Sequence, residues 1–339
     1  MNQQITVSVI VPLYNEEKFI ENCILSLTRQ DYPRDKMEWI FVDGLSEDST
    51  YDIIKQYELK FPNLIKILEN PKKIVPCAMN IGIRASSGKY IIRLDAHAEY
   101  SEDYISKCIY YLENKDIENV GGVLQTKAEG FTGKAISRML SSTFGVGNSY
   151  FRTGAKSGYV DTVPFGAFRR DVFKKYGGYD ERLVRNQDIE MNFRIIKNGG
   201  KVFLADDIHM SYYCRDSVKS ICDMARKNGM WNIITMKLCP GAMSTRHFVP
   251  AAFVFSSLIL SIAAFFIHEF AFLLAAELSL YFILDFIFSM KLGSSCSERA
   301  FLLLLFPLFH ISYGLGSFLG LFKLGKKKYK KDGYVPESI

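Results

Sequence analysis

Cross-linking and rigidifying residues are scarce in this chain. Seven of its 339 residues are cysteine (Cys23, Cys77, Cys108, Cys214, Cys222, Cys239, Cys296), and no two stand in a Cys-x-x-Cys pair. An odd, scattered set makes neither a disulfide framework nor a zinc ribbon, and it fits reduced thiols in a cytosolic compartment. Ten prolines and 24 glycines without a period exclude a collagen-like or low-complexity chain. No GxxxxGK[ST] loop and no GxSxG elbow occurs, which removes the P-loop and nucleophile-elbow readings. His209, His247, His268 and His310 stand isolated and read as structural. The first six residues show no basic region leading into an apolar core, so no secretory leader is expected.

Charge is unevenly spread. The formal net charge is +6, and six lysines crowd at Lys323, Lys326, Lys327, Lys328, Lys330 and Lys331. The remainder is close to neutral, so no broad basic face suggests nucleic acid. Residues 248–322 carry little charge and hold three apolar segments, 248–267, 270–290 and 300–322. The first is 20 residues without a charge, long enough to cross a bilayer. The lysine cluster that follows suits anionic headgroups on the cytoplasmic leaflet. Three full crossings would put those lysines outside, so one segment is expected to be re-entrant or interfacial. The third, with Pro307 and several glycines, is the foremost choice. Gly316-xxx-Gly320 offers a face for close helix approach. Glu277 and Asp285 are intramembrane acids, either functional or paired at an interface. The expected organisation is a cytosolic domain over 1–247, a membrane domain of two to three helices over 248–322 and a basic tail over 323–339.

The first 100 residues alternate strand and helix. Val7–Val11 is a β-branched run ending at Pro12, and Trp39–Val42 and Tyr90–Leu94 repeat the pattern. Asn15 reads as a helix cap with Glu16 and Glu17 in the first turn. Helices are expected over 48–60 and 76–86, with a strand at 64–68 between them. Such βαβ order implies right-handed crossovers and a mainly parallel α/β sheet, which binds ligands at the carboxyl ends of its strands. Asp43 and Asp95 each follow the last apolar residue of a strand, so both are expected on one edge, beside Tyr14 and Glu16. Further on, 170–176 and 187–197 read as helices. Residues 218–238 read as an amphipathic helix, either at a membrane surface or packed within a domain. Carboxylates gathered on one edge repel one another unless a cation or polar ligand intervenes. Asp95-Ala96-His97 offers an oxygen and an imidazole on alternate residues, a set suited to Mn²⁺ or Mg²⁺ shared with a diphosphate.

These residues, taken in order, resemble family 2 glycosyltransferases. The likeness starts with Val7–Glu16 and runs through Phe41–Thr50, Asn80–Gly88 and Tyr90–His97. It continues in Pro164–Arg170, Gly177–Glu181 and Asn186–Arg194. The resemblance implies a GT-A fold followed by transmembrane helices, a nucleotide-sugar donor (UDP-sugar first) and inversion at the anomeric carbon. Membrane-anchored enzymes of bacterial exopolysaccharide assembly look most similar. Membrane attachment points to a lipid-linked or polysaccharide acceptor, and the apolar segments with the scattered thiols to a multi-pass protein of the cell membrane touching membrane lipids, with a cytoplasmic catalytic domain. Carried over, Pro12, Tyr14, Glu16, Asp43 and Asp95 would bind the donor, while Asn80 and Arg84, one helical turn apart, either face the donor diphosphate as well or form a surface helix pair. Asp95 and His97 would hold Mn²⁺ or Mg²⁺, and Asp188 would be the general base, with Glu190 in reserve. Three departures stand out: Gly44 replaces a second acid, His97 replaces the last acid of a D-x-D motif, and Gln187 replaces an acid before the base. The alternatives are a non-catalytic nucleotide-sugar-binding subunit of an assembly complex and a processive polysaccharide synthase.

Overall fold

The computed structural model describes residues 5–154, 156–325 and 336–339. In chain order the elements begin β1 (Val7–Leu13), α1 (Ile20–Thr28), β2 (Met37–Asp43), α2 (Thr50–Lys60), β3 (Ile65–Glu69), α3 (Val75–Ala85) and β4 (Tyr90–Arg93). Then come β5 (Ala98–Tyr100), α4 (Tyr104–Asn114), β6 (Asn119–Lys127), α5 (Gly130–Leu140), α6 (Thr143–Val146) and α7 (Tyr150–Thr153). They continue with β7 (Gly158–Tyr159), β8 (Ala167–Arg169), α8 (Asp171–Tyr176), α9 (Gln187–Lys197), β9 (Val202–Tyr213) and α10 (Val218–Leu238). Three long helices follow: α11 (Val249–Phe266), α12 (Glu269–Leu292) and α13 (Cys296–Lys323).

The described residues form two compact units. One contains the chain to Gln125, Gly154–Tyr212 and the last four residues. The other contains Thr126–Thr153 and the described chain from Tyr213 to Gly325. This division differs from the hydropathy boundary at residue 247. The reason is packing: α5 and α10 bury apolar faces against α13, so they belong with the apolar helices. Ala135, Ile136, Met139 and Leu140 of α5, Ile221 and Ala225 of α10, and Leu302, Leu305, Phe306 and Phe309 of α13 share one core.

In the first unit the strands form a single sheet in the order β3-β2-β1-β4-β8-β6-β9-β5, with β7 on β9. The first four are parallel, with Leu13 level with Asp43, and Ile10 with Arg93. β8 joins antiparallel to both β4 and β6, and β5 and β7 lie antiparallel to β9. The sheet is thus mixed, with its parallel half at the start of the chain. Strands β1 and β2 are buried throughout, as mainly apolar strands covered on both faces should be, and the buried Ser8 and Glu38 pair with each other (2.6 Å). Gly82 brings α3 hard against β1: a Cβ there would lie 2.5 Å from Ile10 Cγ2.

The second unit is helical. Segments Thr245–Phe266, Glu269–Leu292 and Cys296–Lys323, of 22, 24 and 28 residues, are long and apolar enough to cross a membrane. The third is not broken at Pro307, since α13 runs unbroken from Cys296 to Lys323. Ser295 caps it by accepting from Glu298 N–H, and Glu298 returns its carboxylate to Ser294 N–H at 2.9 Å. The Gly316/Gly320 face does admit a neighbour, which is α10. A Cβ at Gly316 would lie 2.0 Å from Arg226 O, and one at Gly229 would lie 2.0 Å from Tyr313 O. Helix α10 is therefore a packing helix of this unit, with Ile221, Ala225, Gly229 and Ile233 buried. Glu277 accepts from Ser256 and Ser257 of α11, and Asp285 accepts from Ser289 one turn on. Lys326, Lys327, Lys328, Lys330 and Lys331 of the expected basic tail lie outside the described residues.

Candidate active site

Parallel strands β1, β2 and β4 end on one edge, and the chain leaving each carries polar groups there. After β1, Asn15 stands at φ 54° and does not cap a helix; α1 begins later, at Ile20. Its amide oxygen instead accepts from Glu47 N–H (2.8 Å), while its own N–H donates to Ser46 Oγ (2.9 Å). Glu16 N–H donates to Thr50 Oγ1 (2.7 Å). The β1 and β2 loops are thereby knitted into one wall. Tyr14 stands at its surface, with Lys73 Nζ 4.8 Å from the ring centre.

Asp43 closes β2 and is buried. It accepts from Ser46 Oγ (2.6 Å) and Ser46 N–H (3.0 Å), which fixes the turn carrying Leu45 at φ 59°. Gly44, which follows Asp43, packs closely on the β1 end. A Cβ on Gly44 would lie 3.1 Å from Tyr14 Cβ and 3.2 Å from Leu13 O.

Leaving β4, Asp95 is gripped by Arg93, whose Nε (3.2 Å) and Nη2 (3.0 Å) both donate to Oδ1. Arg93 is buried, and its Nη1 has no partner among the described residues. Burial penalises the guanidinium charge, yet Asp95, Asp188 and Tyr179 around it hold its pKa above the ordinary value. That neighbourhood joins two acids separated by 93 positions in sequence. Asp188 lies in the first turn of α9, half-buried, behind Asn186 at φ 63°. Tyr179, fully buried, feels Arg93, Asp188 and Asp95 in turn, and burial pushes its hydroxyl pKa up. Beneath Arg93 lies the Phe165 ring, 5.9 Å from the guanidinium carbon. Phe165 is held at φ 60° in a tight turn closed by Gly166 N–H to Pro164 O (2.7 Å). A bulky residue in that region is uncommon and marks a constrained segment.

His97 Nδ1 meets Glu16 Oε1 at 3.0 Å, and its ring lies edge-on to Tyr212. Burial opposes the imidazolium, but the Glu16 hydrogen bond and the Tyr212, Asp95 and Glu16 charges outweigh it and push the His97 pKa up to about 10. Among the described residues no cluster of three or more His, Cys, Asp or Glu could hold a metal ion. Among the described residues Asp95 Oδ2 and His97 Nε2 make no hydrogen bond, and Nε2 can ligate a cation only once the imidazolium has given up its proton. Such a pair fits a divalent ion only when a diphosphate supplies further oxygens.

The other expected residues lie elsewhere in the fold. Asn80 spends its amide on the Tyr179 backbone (2.8 and 2.9 Å) and on Glu181 Oε1 (3.1 Å). Arg84, half-exposed, pairs with Glu337 at 3.5 Å. Near it the last residues lie along the Gly177–Gly178 turn, with Gly178 N–H donating to Glu337 O (2.8 Å). Glu190 is buried and held by both Nε (2.9 Å) and Nη2 (2.8 Å) of Arg194, and burial raises its pKa. That leaves Asp188 as the accessible acid of α9. Pro12 is buried within β1. Arg93, Phe165 and Tyr179 went unnoticed in the sequence. Arg93 had a signal, being a lone cation in an otherwise apolar strand.

Residues 8–177 match the sequence profile of "Glycosyl transferase family 2". The chain is 33% identical over 221 residues to a dolichyl N-acetyl-alpha-D-glucosaminyl phosphate 3-beta-D-2,3-diacetamido-2,3-dideoxy-beta-D-glucuronosyltransferase of Methanococcus voltae, covering 63% of this chain and 68% of that one. It is 30% identical over 209 residues to the succinoglycan biosynthesis protein ExoA of Rhizobium meliloti, covering 61% and 63%. The matches thus span about two thirds of each relative. In fold it resembles the mannosyltransferase PcManGT from Pyrobaculum calidifontis, solved with GDP-Man and Mn²⁺. There the TM-score is 0.60 at 19% identity, covering 92% of this chain and 86% of that one.

Proposed function

The chain belongs to glycosyl transferase family 2 and is a glycosyltransferase of GT-A fold; from that premise we propose that it is membrane-attached and transfers a sugar, with inversion, from a nucleotide sugar to a lipid-linked or polysaccharide acceptor. The observation that carries this reading is the buried Arg93 guanidinium, which donates twice to Asp95 (3.2 and 3.0 Å) and also feels the Asp188 charge. In this reading Asp95, at the carboxyl end of a parallel strand, faces the donor diphosphate, and Asp188, on a helix, faces the acceptor hydroxyl.

In this reading Asp188 takes the proton from the acceptor hydroxyl as its oxygen attacks the anomeric carbon. The bond between that carbon and the diphosphate oxygen breaks, and the nucleoside diphosphate leaves from the opposite face. Asp95 and His97 would hold a divalent ion, Mn²⁺ or Mg²⁺, whose charge offsets that gathering on the departing diphosphate. Arg93 fixes which Asp95 oxygen faces outward. Asp43 and Ser46 shape the turn that receives the nucleoside, and Tyr14 offers its exposed ring to the base. Glu16 orients His97, and Asn80 fixes the Tyr179 segment. The long apolar helices support attachment to a membrane, where a lipid-linked acceptor is presented.

The test uses full-length protein in detergent with a panel of UDP- and GDP-sugars and extracted lipid-linked glycans. Acceptor-dependent release of nucleoside diphosphate, with an inverted anomer in the product, is expected. Donor binding without acceptor-dependent release, or retention at the anomeric carbon, would overturn the reading.

A further inference from the structure

The helical unit contains a cleft that no step above uses. Its volume is about 400 Å³, and its lining includes Thr126, Lys127, Glu129, Lys134, Arg138 and Tyr213. The ends of β6 and β9 form one side, joined by Cys214 N–H to Lys127 O (3.0 Å). The first two turns of α5 form the other, tied down by Ser137 Oγ to Thr126 O (2.7 Å).

Its position relative to the apolar helices is the informative feature. Arg138 donates to Leu292 O (2.7 Å), the last residue of α12, and pairs with Glu298 (2.9 Å) in the first turn of α13. Phe131, exposed at the start of α5, packs against Phe301 with the rings tilted and their centres 5.3 Å apart. The cleft therefore lies level with the polar turn between two bilayer-length helices, where the hydrocarbon core gives way to headgroups. Two lysines line it at that level. Lys134 is exposed and forms no ion pair among the described residues. Arg138 is neutralised by Glu298, which leaves Glu129 as the opposing charge on the lining.

Resting on the reading of a lipid-linked acceptor, we propose that this cleft binds the phosphate or diphosphate of that lipid, with Lys134 as a principal contact and the apolar helices beside Phe131 and Phe301 seating its chain. A compact ammonium is suited to a phosphate at a wet interface. Glu129 opposes the anion and moderates affinity, so product lipid can leave.

Binding to the full-length protein in a neutral detergent tests this, with farnesyl diphosphate, farnesol and inorganic pyrophosphate as probes. Farnesyl diphosphate is expected to bind roughly tenfold more weakly to Lys134→Glu, since one charge-assisted contact is replaced by repulsion. Lys134→Arg should retain binding, and Glu129→Gln should strengthen it. Farnesol should bind weakly throughout. The thermal midpoint checks that each variant is folded, and Lys134 is exposed enough to tolerate replacement. Unchanged farnesyl diphosphate affinity in Lys134→Glu overturns the proposal. Equal affinity for inorganic pyrophosphate overturns its lipid part and assigns the cleft to a free anion. If Lys134-dependent binding persists while no lipid-linked glycan supports turnover, the site stands and the proposed acceptor falls.

Discussion

Replacing Arg93 by lysine probes how the acid edge is organised. Arg93 sends two donors, at 3.2 and 3.0 Å, to one oxygen of Asp95. Lysine keeps the charge but has a single ammonium and no planar fork. A hydrogen bond to a charged group contributes roughly 1.5–3 kcal/mol, so loss of one of the two, with a freer Asp95, should cost about that much. Expressed on the transition state, this is roughly a 10- to 100-fold fall in kcat/KM at about 1.4 kcal/mol per decade. Because Asp95 is argued to present its other oxygen to a divalent ion, the Mn²⁺ concentration giving half-maximal activity should rise as well. The assay is nucleoside diphosphate release across a Mn²⁺ titration, with the thermal midpoint measured alongside. If Arg93→Lys lowers only the thermal midpoint and leaves kcat/KM and the Mn²⁺ dependence at wild-type values, Arg93 merely supports the fold and the reasoning fails.

Gly229→Ala should drive α10 and α13 apart, because the added carbon would sit 2.0 Å from Tyr313 O. A loss of about 1–3 kcal/mol or more, read as a lower thermal midpoint in detergent, is expected, and an unchanged midpoint would contradict the close packing. Burial pushes the Glu181 carboxyl up, but hydrogen bonds from Lys72, Asn80 and Cys77 and the charge of Lys72 hold it down at about 2. A depressed carboxylate adds stability above its unfolded pKa, near 4.5, and loses it as pH falls toward 2. Thermal midpoints measured across that window should therefore fall less steeply in Glu181→Gln than in the wild type. Equal slopes would remove Glu181 from the acid response.

The parallel half of the sheet was legible because β1, β2 and β4 are mainly apolar, each followed by a polar residue that period and position assign to one edge. The helices at 171–176, 187–197 and 218–238 could be read from spacing and end signals. The antiparallel half could not. Strands β5 and β8 have three residues each, too short for a pattern, and β9 carries Asp206 and Asp207 in mid-course. Asn15 looked like a cap because its local sequence is that of one. Its actual partners, Ser46 and Glu47, lie more than 30 residues away, and only the sheet brings them near. Spacing placed Asp188 on a helix, and only the family resemblance assigned it to one site with Asp95; the buried Arg93 beside Asp95 carried no role in either. The grouping of α5 and α10 with the apolar helices was hidden for a similar reason: an amphipathic face does not say which surface it covers.

The most direct measurement compares acceptor-dependent nucleoside diphosphate release by the wild type and Asp188→Asn, with donor binding measured in both. Asparagine keeps the shape of the side chain but cannot take up the acceptor proton, so turnover should fall by roughly 10²- to 10⁴-fold while donor affinity holds. Turnover in Asp188→Asn near that of the wild type would contradict the account.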